Sequence, residues 1–352
     1  MRNDPITPNS ETFFSSQNNA WVDQRKGVGG GGLHSDFNSI ISIENLLISW
    51  REFLRGKRKR KDVILFSLNL MENIYILHSD LKNKTYKHGD YIAFNISDPK
   101  PRNIHKATVR DRLLHHAIYR VLYPYFEKKF VCDSYSCRIG KGTHRAIYRL
   151  ESFIQKVGKN NTKQCWILKC DIKKFFVNID HGILKNILAK HIADKDVLWF
   201  LEEVIDSFKV GLPLGNLTSQ LLVNIYMNEF DKFVKRELKV KYYIRYADDF
   251  VILSEDKKYL ENILEIMKEF LENNLKLKMH SDKIFIKTIY SGVDFLGWIH
   301  FPEHRTLRTS TKNRMFRNFK KNQKPNTIIS YFGMLEHGNG FKLKTEIELL
   351  MI

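Results

Sequence analysis

From Ile43 onward, apolar side chains recur at the spacing of a helix face. Ile43, Leu46, Leu47, Trp50 and Phe53 form one stripe, and Gly56 supplies its stop. A second stripe lies in VRDRLLHHAIYRVLYPYF, where Leu113, Leu114, Ala117, Ile118, Val121 and Leu122 share a face and Pro124 is expected to end the helix. HGILKNILAKHI, SQLLVNIYMNEFDKFVKREL and KYLENILEIMKEFLENNL predict further helices. Between them sit apolar runs too short for helices, QCWILKC, YYIRYADDFVIL and KIFIK, which read as strands. Helices and short strands alternate without an internal repeat, so the expected class is α+β.

Two adjacent carboxylates, Asp248 and Asp249, interrupt the second strand run, which therefore reads as a hairpin with Ala247 to Asp249 at its turn. Neighbours on a strand face opposite ways, so only a turn lets both acids approach one point. A third acid, Asp171, follows the strand WILKC. If the three converge, each pair about 4 Å apart repels by about 4 kcal/mol at an effective dielectric near 20. Something cationic must offset that. Two Mg²⁺ ions about 3.5 to 4 Å apart would do so, an arrangement suited to nucleotidyl transfer.

Composition narrows the partners. With 43% hydrophobic and 12% aromatic residues, the 352-residue chain is expected to be globular, with two or three subdomains. A net charge of +19 points to a polyanion, nucleic acid first, because Lys and Arg release counterions from phosphates. No apolar run approaches the roughly 20 residues of a membrane span, and MRNDPITPNSETFF lacks the pattern of a signal peptide. A cytoplasmic protein without a membrane partner is expected. Residues 1–34 balance three basic against three acidic side chains and include GVGGGG, which reads as a flexible leader. RGKRKRK at 55–61 reads either as an RNA contact or as a solvated turn or nuclear signal. The cysteines Cys132, Cys137, Cys165 and Cys170 are expected to be reduced thiols, since the last two project to opposite faces of a strand. His115 and His116 point about 100° apart on a helix and make poor joint ligands.

At this point the sequence resembles the reverse transcriptases. YADD between apolar strands is similar to that family's metal-binding motif. Further blocks stand in the family's order: KPRNIHKATVRDRLLHHAI from Lys100, DSYSCRIGKGTHRAI from Asp133, LKCDIKKFFVNIDH from Leu168, GLPLGNLTSQLLVNIYMNEFD from Gly211, LKLKMHSDK from Leu275 and FLGW from Phe295. The resemblance spans about residues 43–340. It implies a right-hand polymerase: a leader at 1–38, N-terminal helices and fingers at 39–165, a palm of antiparallel sheet packed on helices at 166–300, and a short helical thumb at 301–352.

The resemblance also implies roles. Asp171, Asp248 and Asp249 become ligands of two Mg²⁺ ions, with the carbonyl of Ile172 as an extra. Arg102 becomes the clamp on the incoming triphosphate, a guanidinium being able to hold two phosphate oxygens at once. Lys100, Arg138 and Lys141 are further cationic candidates, while Arg110 and Arg112 read equally as structural ion-pair partners. Phe176 takes the place of the aromatic under the sugar that excludes a 2′-hydroxyl, whereas its neighbour Phe175 reads as core. Lys283 stands near the leaving pyrophosphate as a general acid. Phe295, Leu296, Gly297 and Trp298 resemble the hairpin that grips the primer. Arg314, Arg317 and Lys321 lie at helical spacing in TKNRMFRNFKKN, with Met315, Phe316 and Phe319 on a neighbouring face, and suit a duplex backbone.

One departure narrows the type. Many family members carry Gln-Gly where this chain has Leu214-Gly215, and a leucine cannot hydrogen-bond the incoming nucleotide. Leu-Gly followed by NLTSQ resembles the enzymes of diversity-generating retroelements, which copy a template RNA with errors concentrated at adenines. Leu214 and Gly215, with Gln220 second, are then expected to loosen base checking. About 100 residues follow Asp249, fewer than bacterial intron maturases usually need. The implied partners are a template RNA, its RNA–DNA duplex, dNTPs and a small basic accessory protein. The rival readings are a phage-defence or group II intron reverse transcriptase, and a non-catalytic RNA-binding splicing helper that keeps the fold.

Overall fold

The computed structural model describes residues 37–97, 100–321 and 325–350, so the glycine-rich leader lies outside the described residues. Along the chain come α1 (Phe37–Ile41), α2 (Ile43–Phe53), α3 (Lys61–Leu68), α4 (Leu70–Lys82), the hairpin of β1 (Ile92–Ile96) and β2 (Arg102–Lys106), α5 (Val109–Glu127) and α6 (Thr143–Val157). Next are β3 (Trp166–Asp171), α7 (His181–Ala189), α8 (Lys195–Asp206), α9 (Leu217–Lys232), β4 (Tyr243–Tyr246), β5 (Asp249–Ser254) and α10 (Lys257–Leu275). The last stretch holds β6 (Phe285–Thr288), β7 (Val293–Phe295), β8 (Trp298–His300), β9 (Arg305–Leu307), α11 (Thr309–Lys321), α12 (Pro325–Leu335) and α13 (Phe341–Leu349). The mixture of helices with antiparallel sheets is the α+β class that the alternation predicts. No helix among the described residues is long and apolar enough to cross a membrane.

The chain forms two compact units, each discontinuous in sequence. The first extends to Cys132 and adds Ile172–Phe233 and Glu269–Lys278. Its centre is α5, against which α2 and α9 pack. Thr108 caps α5 by accepting from the Asp111 N–H, and Leu113, Leu114, Ala117, Ile118 and Leu122 are buried along it. The helix does not end at Pro124 as the sequence predicts but runs on to Glu127. An interior proline costs about 3 kcal/mol. Phe126, 1% exposed, lies beyond the proline, and burying such a ring offsets most of that cost at about 1.5–3 kcal/mol. On α9, apolar residues on every side are buried, the pattern of a core helix.

The second unit comprises Asp133–Asp171, Val234–Lys268 and Met279–Ile352. Its sheet has the order β4-β5-β3-β6, with every neighbouring pair antiparallel. α6 packs on β4 and β5 through Ala146, Leu150, Phe153, Ile154 and Val157, one stripe at helical spacing. A three-stranded sheet, β7-β8-β9, joins Trp298 and Leu307 to Met315, Phe319, Ile328, Leu335 and Ile347 of α11 to α13 in a second core. Gly338 is required there: a Cβ on it would stand 2.1 Å from the Trp298 ring.

Candidate active site

The three acids lie in the second unit, on its four-stranded sheet. β3 is central and buried on both faces at Leu168 and Lys169, and Asp171 closes it half-buried. Asp171 is the register partner of Asp249 on β5, and Asp249 in turn faces Tyr246 on β4. The hairpin turn is therefore only Ala247 and Asp248. Asp249 is not a turn residue, as the sequence predicts, but the first residue of β5, because its backbone already pairs on both sides. Ala247 adopts φ 56°, a left-handed conformation that costs a non-glycine residue about 1 kcal/mol or more.

Arg245 braces that turn. It is 1% exposed, donates from Nη1 to the Ala247 carbonyl (3.0 Å) and from Nη2 to Ser134 Oγ (3.2 Å), and its backbone bridges to Ser134. Sequence reasoning missed it. The available signal was a lone charge inside the apolar strand YYIRY.

Two lysines meet the acids. Lys169 precedes Asp171 by two residues on β3 and so shares its face, with Nζ 3.3 Å from Asp249 Oδ2. Lys283, closing a short helical turn, places Nζ 2.9 Å from Asp171 Oδ1. Asp249 Oδ1 is buried and has no hydrogen-bond partner. Burial pushes the Asp249 carboxyl up to about 7; Lys169 opposes the rise, and Asp248 and Asp171 add to it.

Among the described residues no three His, Cys, Asp or Glu side chains stand close enough together to hold one metal ion. The donor set nevertheless fits a hard divalent cation. Carboxylate oxygens are what Mg²⁺ takes, and the orphaned Oδ1 of Asp249 lies beside the Asp171 strand end. Asp171 and Asp249, paired across β3 and β5, are the residues that could hold it. Ile172, next in the chain, is buried.

The remaining candidates of this unit scatter between surface and core. Arg138 is 5% exposed and donates from Nη1 to the Ser134 carbonyl (2.7 Å), so its guanidinium is turned inward. Lys141 sits over the Tyr135 ring at 5.1 Å. Phe295 and Trp298 are core residues, and only Leu296 and Gly297 form the tip between β7 and β8, at φ 51° and 88°. On α11, Met315 and Phe319 are buried and Phe316 packs beside them, while Arg314 is half-buried and Arg317 and Lys321 are exposed.

The nucleotide-binding candidates lie in the first unit. Arg102 and Lys100 are exposed, Arg102 opening β2. Phe176 is half-buried in a single 3₁₀ turn, edge-on to the buried Phe175 with centroids 5.5 Å apart. Its carbonyl accepts from the Leu212 N–H (2.8 Å), and a Cβ on Gly211 would stand 2.2 Å from that carbonyl oxygen. Leu214 and Gly215 form a turn before α9, Leu214 half-buried and Gly215 exposed, while Gln220 is half-buried on the helix. Arg112 binds Asp62 at 2.6 Å and Arg110 lies 3.5 Å from Asp80, which favours their structural reading. In the basic run, Arg55, Arg58, Lys59 and Lys61 are exposed. All four cysteines are free thiols.

The sequence profile described as reverse transcriptase (RNA-dependent DNA polymerase) matches residues 87–300. YkfC of Escherichia coli K12 is 27% identical over 258 residues, covering 61% of this chain and 66% of that protein. The group II intron-encoded protein LtrA of Lactococcus lactis is 26% identical over 295 residues, covering 63% of this chain and 48% of LtrA. The chain thus spans less than two thirds of the length of these relatives. Among solved structures, apo telomerase from Candida tropicalis superposes with a TM-score of 0.49 at 12% identity, over 65% of this chain and 49% of that one. The profile match extends over more than half of the chain and includes all three acids, Asp171, Asp248 and Asp249: the chain belongs to the reverse transcriptase family.

Proposed function

We propose that the protein is an RNA-directed DNA polymerase that copies a template RNA into cDNA, with Asp171, Asp248 and Asp249 holding two Mg²⁺ ions. The observation that carries this reading is the direct pairing of Asp171 with Asp249 at the ends of β3 and β5, inside the span that matches the family. Bound Mg²⁺ would lower the pKa of a primer 3′-hydroxyl and steady the leaving pyrophosphate. The protein's own residues do the rest. Arg245 keeps the Asp248 turn in place, Lys283 protonates the leaving group, and Arg102, with Lys100, binds the triphosphate of a dNTP. Phe176 excludes a 2′-hydroxyl. The Leu296–Gly297 tip, with Lys141, Arg317 and Lys321, follows the RNA–DNA duplex. The family's division into fingers, palm and thumb at 39–165, 166–300 and 301–352 is part of the same proposal.

Within the family we infer the error-prone, diversity-generating type, supported by Leu214-Gly215 in place of Gln-Gly. A small basic accessory protein belongs to that reading. The group II intron relatives favour a second reading, an intron-type reverse transcriptase. Copying a defined RNA template and sequencing the products separates the two. Errors concentrated opposite template adenines, and reduced in Leu214→Gln, support the first; a low, even error rate that Leu214→Gln leaves unchanged favours the second. No incorporation from any RNA template overturns both.

A further inference from the structure

We propose that Lys169 is a resident counter-ion for Asp249, one that competes with divalent cations and sets how tightly the nucleotide-free protein holds them. The inference rests on reading Asp171, Asp248 and Asp249 as the cation ligands.

Lysine is a costly choice at this position. Lys169 is 9% exposed, and its register partners are Val251 on β5 and Phe285 on β6, so the stem crosses an apolar face of the sheet. Its ammonium emerges at the end of that face, 3.3 Å from Asp249 Oδ2. Asp249 thereby has one oxygen taken by an internal cation and the other, Oδ1, buried without a partner. A structural ion pair alone does not explain that asymmetry, because an unpartnered buried carboxylate oxygen is itself unfavourable.

The open oxygen suits an incoming ion, while the occupied one limits the charge that Asp249 can offer it. Lys283 likewise occupies Oδ1 of the neighbouring acid, Asp171. The two lysines differ in enclosure, the Lys283 side chain being 47% exposed and the Lys169 side chain 11%. Water screens the first, so it opposes a cation only weakly; the second acts through a low-dielectric sheet and opposes it strongly.

The test is direct binding of Mn²⁺ to the full chain without nucleotide or primer, read by electron paramagnetic resonance of the free ion at fixed pH, so that no polymerase activity is needed. Lys169→Met is expected to bind at least about ten-fold more tightly than wild type. Lys169→Arg should stay within about three-fold, and Lys283→Met should gain less than Lys169→Met. Added Mg²⁺ should raise the melting temperature of Lys169→Met by more than that of wild type, because the variant leaves Asp249 wholly unpaired. Should Lys169→Met fail to fold, Lys169→Gln carries the same comparison. Wild-type binding that neither neutral variant tightens would overturn the role of Lys169 while leaving the carboxylate assignment intact. Absence of binding in every variant would overturn that assignment and the proposal with it.

Discussion

Asn216 donates its side-chain amide to the carbonyl of His105 at 2.9 Å, and the His105 N–H donates to the carbonyl of Leu214 at 3.1 Å. One residue of β2 is thus clasped from both sides by the turn that opens α9. Gly215 lies inside the clasp at φ 102°, where a Cβ would stand 2.8 Å from Ile104 Cγ2. The loop proposed to check the base is therefore fastened to the strand that carries Arg102. Asn216→Ala is expected to lower the unfolding free energy by about 1–2 kcal/mol, the value of a buried hydrogen bond whose acceptor is left behind. Gly215→Ala should cost about 2 kcal/mol or more, since strain and contact add. Urea unfolding measures both, and a Gly215→Ala protein as stable as wild type would remove the clasp.

Acid should loosen the first unit. His115 is 1% exposed with Nε2 3.3 Å from His88 Nε2, and His116 stands edge-on to Phe53. Burial pushes both imidazoles down to about 3; His88 adds to the effect on His115 while Asp111 opposes it, and Lys57 and Arg112 add to the effect on His116. Unfolded histidines bind protons near pH 6.5. Between those limits the unfolded chain carries about two more protons, so stability falls as pH drops from about 6.5 toward 3, with a limiting slope near 2.7 kcal/mol per pH unit. Replacing the pair, His115→Phe with His116→Leu, should flatten that slope in urea titrations at pH 7, 6 and 5. An equally steep loss in the double variant would assign the acid sensitivity elsewhere.

Phe176→Ala should admit ribonucleotides, with the ratio of deoxy- to ribonucleotide kcat/KM falling by about ten-fold or more. Gly211→Ala tests the same ring from behind. Its Cβ would collide with the Phe176 carbonyl and shift the 3₁₀ turn, so it should also lose sugar discrimination. Unchanged discrimination in Phe176→Ala would remove the gate.

What was legible in the sequence follows the range of the forces involved. The stripe Ile43 to Phe53 predicts a helix because its signal is local, and the helix spans Ile43–Phe53. Pro124 misled because local propensity was outweighed by Phe126 burying itself beyond the expected break. The three acids were visible as chemistry, and Lys283 came with the family resemblance, yet Lys169 did not register. Lys169 meets Asp249 only through strand pairing, and a charge inside WILKC carries no local hint of its partner. Arg245 and Asn216 escaped for the same reason, Arg245 being bonded to the Ser134 hydroxyl and Asn216 to the His105 carbonyl, both far along the chain. The three-residue strands β7, β8 and β9 are too short for a period to register.

The most direct measurement is single-turnover extension of a DNA primer on a defined RNA template in Mg²⁺, comparing wild type with Asp248→Ala and Asp249→Asn. Wild type should incorporate dNTPs in a template-dependent way, with incorporation abolished by chelating the metal and reduced at least about 100-fold in either variant. Incorporation at the wild-type rate by Asp248→Ala would contradict the proposed role of the acids.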